Sequence, residues 1–252
     1  MKDWFDVTGK VSLITGGRRG LGKAMALGLV EARAKVIVIA KSSDDGNLGY
    51  EAEKLGGTIA YMQADLTGRK ERAGLIEKVA NQFGRLDILV NNAGFQRRSP
   101  VLEYSSSDWD ADLELLLTAV LDLSQQAARV MIKQGGGKII QVASISSFQG
   151  ARNIIGYASA KHALVGLTKC LANELASQNI NVNAIAPGLF ETEMASHVTT
   201  DPIRANELRG RIPSGRFGQP EDMIGPLLFL ASNASKHVHG HVLLVDGGWM
   251  GR

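Results

Sequence analysis

Short, uninterrupted apolar runs that alternate with helical patterns fix what this chain can fold into. VSLIT (11–15), KVIVIA (35–40), GTIAYMQADL (57–66), RLDILVNNAG (85–94), KIIQVA (138–143), NINVNAIAPG (179–188) and HVLLVDGG (241–248) read as strands. Between them come KAMALGLVEARA, a polar-faced helix at 69–83, a long helix over about 107–133, a helix from Tyr157 and one near 220–232. Strands that are apolar along their length, separated by helices, indicate a parallel sheet covered on both faces. No repeat, low-complexity tract or linker divides the 252 residues, so 1–252 reads as one α/β domain.

Composition excludes several function classes. The chain is 44% hydrophobic and 21% charged, which supplies a large core. Its net charge of +3 comes from scattered residues, so no nucleic-acid partner is expected. A single cysteine, Cys170, permits no internal disulfide, fits a reducing compartment and reads as buried filler. MKDWFDVTGK has no apolar core of a signal peptide, and no run reaches the ~18 apolar residues of a membrane span. The expectation is a cytoplasmic protein with no membrane partner. His237, His239 and His241 alternate without a carboxylate or cysteine at ligand spacing, so no metal is expected.

The chemistry-bearing residues fall at the ends of the apolar runs. Gly16, Gly20 and Gly22, with Arg18, Arg19 and Leu21, lie between the first strand and the first helix. There glycine lets backbone approach a pyrophosphate and a helix N-terminus offers N–H donors. The second strand ends at Lys41 with no acid before Asp44, where an NAD site places a carboxylate for the ribose 2′-hydroxyl. Lys41, Arg18 and Arg19 could instead meet a 2′-phosphate. Asp65 and Leu66 end the third strand, placed for an adenine amino group. Asn91, Ala93 and Gly94 end the fourth, with amides able to tie neighbouring strands. Pro187, Gly188 and Thr192 follow the sixth, placed for a nicotinamide amide.

Tyr157 and Lys161 are four residues apart, hence on one helix face. A phenol titrates near ~10, and a neighbouring ammonium favours phenolate. The pair is a candidate acid/base for a hydroxyl or carbonyl substrate. Ser144 stands at the C-terminal end of the KIIQVAS run, facing the same crevice.

TGGRRGLG, NNAG, Ser144, YASAK, PGLFET and the closing DGG together resemble the short-chain dehydrogenase/reductase family over essentially the whole chain. The resemblance implies a Rossmann-type doubly wound sheet of seven strands, order 3-2-1-4-5-6-7, and hydride transfer at the nicotinamide C4. It implies Tyr157 as general acid/base, Lys161 as the residue that lowers its pKa and binds the nicotinamide ribose, and Ser144 as donor to the substrate oxygen. It also implies packing of subunits as dimers or tetramers through the long helices and the closing strand.

NAGFQRRSPVLEYSSSDWD, SFQGARN, RIPSGRFGQPEDMIGPLLFLAS and VDGGWMGR are similar to the branch acting on gluconate and deoxygluconate. That implies a small sugar-acid substrate. Lys41, Arg18 and Arg19, with no acid at the strand end, favour NADP as cofactor, and the branch resemblance keeps NAD as the alternative. Arg97, Arg98, Gln149 and Arg152 lie in these segments, and a guanidinium suits bidentate carboxylate binding. The segment 190–216 carries Pro202, Gly210, Pro213 and Gly215 and reads as a lid. The chain departs from the family where Leu116 stands in place of an Asn that helps hold a relay water. Either Glu114 substitutes, the relay is rerouted, or turnover is weak. The alternatives are a neutral polyol or cyclic ketone as substrate, or a cofactor-binding protein without turnover.

Overall fold

The computed structural model describes residues 3–196 and 200–252. Seven parallel strands form one sheet in the order β3-β2-β1-β4-β5-β6-β7. They are β1 (Val11–Thr15), β2 (Lys35–Ala40), β3 (Ile59–Gln63), β4 (Ile88–Asn91), β5 (Gly137–Val142), β6 (Ile180–Pro187) and β7 (Val242–Val245). The expected strands and order are all present, and the ends trimmed from the longer runs are the loops that carry the site.

The apolar runs of β1, β2, β4, β5 and β6 are largely buried on both faces, as their lack of a polar face requires, while the edge strands β3 and β7 are partly exposed. Ile14, Val36, Val38, Ile88, Val90 and Ile140 turn to one face, against Met25 and Leu29 of α1 (Gly20–Glu31) and Leu227 and Leu230 of the helix Ile224–Ala231. Leu13, Ile37, Ile39, Leu89 and Ile139 turn to the other face. There they meet Ile76 and Val79, together with Leu123, Ala127 and Met131.

Two helices and one side chain differ from expectation. The 69–83 segment divides into Arg69–Arg72 and Leu75–Phe83, because Ala73 is extended where Arg72 turns inward and is buried. The long helix is continuous over Ser106–Lys133 but contains a five-residue π turn, Glu114–Thr118, between Ser106–Leu113 and Ala119–Lys133. That helix is long and apolar enough to cross a bilayer by length and mean hydropathy, which the count of consecutive apolar residues missed. In the fold it packs along the sheet. Cys170 is exposed, not filler. On α7 (Ile155–Leu175) the inward positions are Leu164, Thr168 and Ala172, and residue 170 falls off that stripe.

β1 and β4 are neighbours, so strand order reverses between β2-β1 and β4-β5. Crevices at such a reversal, outside the carboxyl ends of the strands, are where open α/β sheets take ligands.

Candidate active site

Two loops nest at the reversal point. Thr15 Oγ1 accepts from the N–H groups of Asn92 and Ala93, both at 3.0 Å. Asn92 Nδ2 returns to the carbonyls of Thr15 and Gly16 at 3.0 and 3.1 Å. The approach is so close that a Cβ on Gly16 would lie 2.8 Å from Ala93 Cα, and one on Gly22 would strike the Gly16 carbonyl and Asn92. Arg19, the N-cap of α1, supplies no side-chain acceptor to the first-turn N–H groups. A backbone cradle with no room for side chains, opening on helix donors, fits a pyrophosphate.

The cations expected near a 2′-phosphate surround this cradle, and each holds a carboxylate. Lys41 Nζ lies 2.8 Å from Asp65, Arg18 lies 3.3 Å from Asp45, and Arg19 lies 2.5 Å from Glu193. Arg18, Arg19, Gly20, Lys23, Asp45 and Glu193 line a cavity of about 310 Å³. The Lys41 hydrogen bond holds Asp65 down to about 2, well below the usual carboxylate range. Leu66 is buried, and its carbonyl accepts from Arg72. Gly188 N donates to the Val245 carbonyl at 2.9 Å, and Thr192 lies beside Gly20. Asn91 does not face this crevice. It is buried between β4 and the long helix, donating to Ser124 at 3.1 Å and Gln141 at 2.9 Å. Its role is to tie strands, and Asn92 is the amide that reaches the glycine loop.

Ser144, Tyr157 and Lys161 converge beside the cradle, and all three are buried. Ser144 caps a short turn, with its Oγ accepting from Ser146 N at 3.0 Å. Its hydroxyl proton is thereby left for Tyr157, whose phenol Ser144 draws down. Lys161 Nζ lies 5.6 Å from the Tyr157 ring centre and donates to the Val142 carbonyl at 2.5 Å. Burial pushes the Tyr157 phenol up, and the Ser144 hydrogen bond offsets part of that. The expected lowering by a neighbouring ammonium is therefore not what dominates: desolvation does, and it also pushes Lys161 down to about 8.

The folded value of Lys161 lies below its ordinary value of 10.5, so from about pH 8 to 10.5 the unfolded chain binds a proton that the folded chain has released. Stability from this residue thus rises with pH across that window and is lost as pH falls through about 8. Lys161→Met, which keeps the stem and removes the charge, is expected to raise the melting temperature at pH 7. Thermal scans should show that advantage vanishing at alkaline pH; equal gains at both pH values would contradict the buried charge.

The substrate side departs most from expectation. Arg97 is not free for a ligand: it bonds Asp112 at 3.0 Å, the Asp108 carbonyl at 2.9 Å and the Asp108 carboxylate at 3.1 Å. Gln149 accepts from Trp249 Nε1 at 3.3 Å, which ties it to the C-terminal turn. Arg152 is exposed. Glu114 is committed to Arg72 at 2.7 Å, so it does not replace the missing relay Asn. Leu116 is fully enclosed among Ile154, Tyr157, Ala158 and Ala160. The π turn carries Leu116 to that position, consistent with the tendency of such turns to sit at functional sites.

Sequence reasoning missed Arg204, on the helix Pro202–Arg209, and Tyr104 with Asp112. No spacing rule joins them, because each pairing runs between a loop and a separate helix. Asn92 and Thr15 were within reach, since both belong to quoted motifs.

A family model described as enoyl-(acyl carrier protein) reductase matches residues 16–250. The 2-dehydro-3-deoxy-D-gluconate 5-dehydrogenase of Dickeya dadantii (strain 3937) is 44% identical over 249 residues, 98% of each chain. The gluconate 5-dehydrogenase of Gluconobacter oxydans (strain 621H) is 38% identical over 98% of this chain and 96% of that one. The crystal structure of a gluconate 5-dehydrogenase from Burkholderia cenocepacia J2315, in complex with NADP and tartrate, superposes with a TM-score of 0.94. It is 36% identical, over 99% of this chain and 98% of that one. With the glycine cradle, the strand order and the Ser144–Tyr157–Lys161 cluster in place, the chain belongs to the short-chain dehydrogenase/reductase family.

Proposed function

We propose that this protein is an NADP(H)-dependent oxidoreductase interconverting a secondary hydroxyl and a ketone on a small sugar acid of the gluconate or keto-deoxygluconate type. The observation that carries the reading is the buried Ser144–Tyr157–Lys161 cluster at the carboxyl edge of the sheet, next to a cradle shaped for a dinucleotide. A bound nicotinamide supplies or accepts the hydride. Tyr157 holds its proton in the free protein, because burial favours the phenol, and gives it to the carbonyl oxygen in the reductive direction. Ser144 turns its hydroxyl from Tyr157 to the same oxygen. Lys161, one helical turn away, stabilises the phenolate that remains.

NADP(H) is favoured by the absence of a carboxylate between Ile39 and Ser43 and by the exposure of the Lys41 and Arg19 bridges. Exposed pairs of this kind are worth little and yield readily to a phosphate. The relative from Burkholderia cenocepacia holds NADP.

A carboxylate on the substrate is favoured by Arg98 and Arg204. One lies on the 95–105 loop and one on the helix Pro202–Arg209, near enough for the Arg204 charge to act on Arg98. Burial and then the Arg204 charge push the Arg98 guanidinium down, and among the described residues no carboxylate bridges either one. Two like charges held together without a counterion suit a bidentate anion. The helix Pro202–Arg209 lies within the 190–216 lid, of which 197–199 fall outside the described residues. The lid is anchored by the Phe190–Gly218 bridge and by Ala205, Ile212 and Phe217 against Trp249.

Each sugar acid should be assayed beside its neutral alcohol or lactone, with NADPH and NADH in parallel. Arg204→Ala is expected to cost about 1.5–3 kcal/mol, or roughly ten- to hundred-fold in kcat/KM for the acids only. Equal rates on neutral partners, unchanged by the substitution, would remove the sugar-acid assignment and leave a polyol or ketone reductase.

The protein is further read as a cytoplasmic homodimer or homotetramer. Ile132 and Ile155 are exposed on the long helices and Leu244 on β7, the surfaces through which copies would pack. A monomeric mass in light scattering would refute it.

A further inference from the structure

A buried acid lies directly behind the residue that precedes Tyr157. Asp112, in the last turn of Ser106–Leu113, has a side chain with no solvent exposure. It accepts a short hydrogen bond from the Tyr104 hydroxyl and a second from Arg97 Nη1 at 3.0 Å. Burial, with Asp112 next to it, pushes the Tyr104 phenol up to about 12, so this hydroxyl is a fixed donor. Arg97 spends its remaining contacts on Asp108 and on the Phe95 ring, 5.1 Å away. The buried carboxylate thus has its counter-charge in Arg97, which it shares with the partly exposed Asp108.

Its position is what gives it a consequence. Gly156 is buried against the pair, and a Cβ there would strike both the Tyr104 hydroxyl and the Asp112 carboxylate. Three residues earlier the Asn153 carbonyl accepts from Ser99 N at 3.0 Å. The 95–105 loop and the start of α7 are therefore pinned together at two points. Gly156, the first of these points, is joined to Tyr157 by a single peptide bond. On the far side Tyr157 is backed by Leu116, which the π turn presents.

We propose that Tyr104 and Asp112, neutralised by Arg97, are positioning residues that set the first turn of α7 and so hold Tyr157 at its working distance from Ser144. The proposal rests on Tyr157 acting as the acid/base. Buried ionic groups are weak contributors to stability compared with apolar packing, and this one joins the substrate loop to the catalytic helix. A displacement of Tyr157 well under 1 Å is enough to slow turnover by about ten-fold, given that 1 Å can cost about a hundred-fold.

The test uses the full-length protein and six variants: Tyr104→Phe, Gly156→Ala, the double variant, Asp112→Asn, Asp112→Ala and Tyr157→Phe. Tyr104→Phe keeps the ring and removes the donor. It is expected to lower kcat about ten-fold, with the dinucleotide dissociation constant and the substrate KM close to wild type. Gly156→Ala is expected to lower kcat at least as much. Its penalty should shrink without vanishing in the Tyr104→Phe background, where one of the two oxygens it collides with is gone and the Asp112 carboxylate is released from that partner. Asp112→Asn, which keeps an acceptor oxygen, should retain more activity than Asp112→Ala. Wild-type kcat in Tyr104→Phe, or penalties that simply multiply in the double variant, would overturn the proposal. A Tyr104→Phe protein that melts earlier but turns over normally would show a purely structural cluster and also overturn it. Turnover retained by Tyr157→Phe would instead remove the underlying assignment of Tyr157, so the two failures are distinguishable.

Discussion

Tyr157→Phe is expected to lose about 10²–10⁴-fold in kcat while folding and binding the dinucleotide as before. The substitution removes one oxygen and leaves the ring among Leu116, Ile154, Ala158 and Ala160. Apolar packing is unchanged, so stability should hold. What disappears is the O–H that Ser144 addresses. Among the described residues no other acid of suitable strength stands in its place, because Lys161 donates to the Val142 carbonyl and Tyr104 is held by Asp112. Ser144 would keep its contact with the substrate oxygen but could not deliver a proton without becoming an alkoxide. The readouts are absorbance at 340 nm for turnover and quenching of protein fluorescence for cofactor binding. Turnover comparable to wild type, with binding intact, would mean that the proton comes from elsewhere and that the cluster is only a pocket wall.

The strand order and the glycine cradle were legible because both are local. A buried parallel strand needs an unbroken apolar run, and a loop passing under a phosphate needs residues without Cβ. Tyr157 and Lys161 were legible because four residues is one helical turn. The misread residues fail where direction, not position, decides. Asn91 and Asn92 are adjacent, and a strand sends neighbours to opposite faces. Leu89 lies on the face covered by the long helix, so Asn91, two residues on, points there as well. Parity along β4 would have assigned Asn92 to the glycine loop. No such parity exists in the 95–105 loop, where Arg97 turns inward to Asp112 and Arg98 is exposed, donating to Gln96 at 3.1 Å. Gln149 was lost to a partner one hundred residues away, Trp249. The phenol of Tyr157 was misjudged because sequence shows a neighbouring charge but not the depth of burial.

Arg72→Met is expected to destabilise the protein by about 3 kcal/mol, the lower end of what breaking a buried ion pair costs. Among the described residues Arg72 is the largest fully enclosed side chain, 1% exposed. It donates to Asp122 at 2.6 Å, to Glu114 at 2.7 Å and to the Leu66 carbonyl at 2.5 Å. Burial alone would push its guanidinium down, but the two carboxylates outweigh that and raise it, so the charge stays. Methionine fills most of the volume, which separates the lost charge from a cavity. The two acids are partly exposed and can recruit water, which keeps the figure at the lower end. For a chain of 252 residues, about 3 kcal/mol should appear as a drop of roughly 6–12 °C in melting temperature. The site should respond too, because Arg72 joins the Asp65–Leu66 turn to the π turn that sets Leu116 against Tyr157. Cofactor affinity and kcat should therefore fall together in Arg72→Met at temperatures where it remains folded. A protein that melts as wild type would show that the arginine is no more than a replaceable filler. One that melts early but keeps wild-type affinity and kcat would confine its role to stability and detach the π turn from the cofactor cleft.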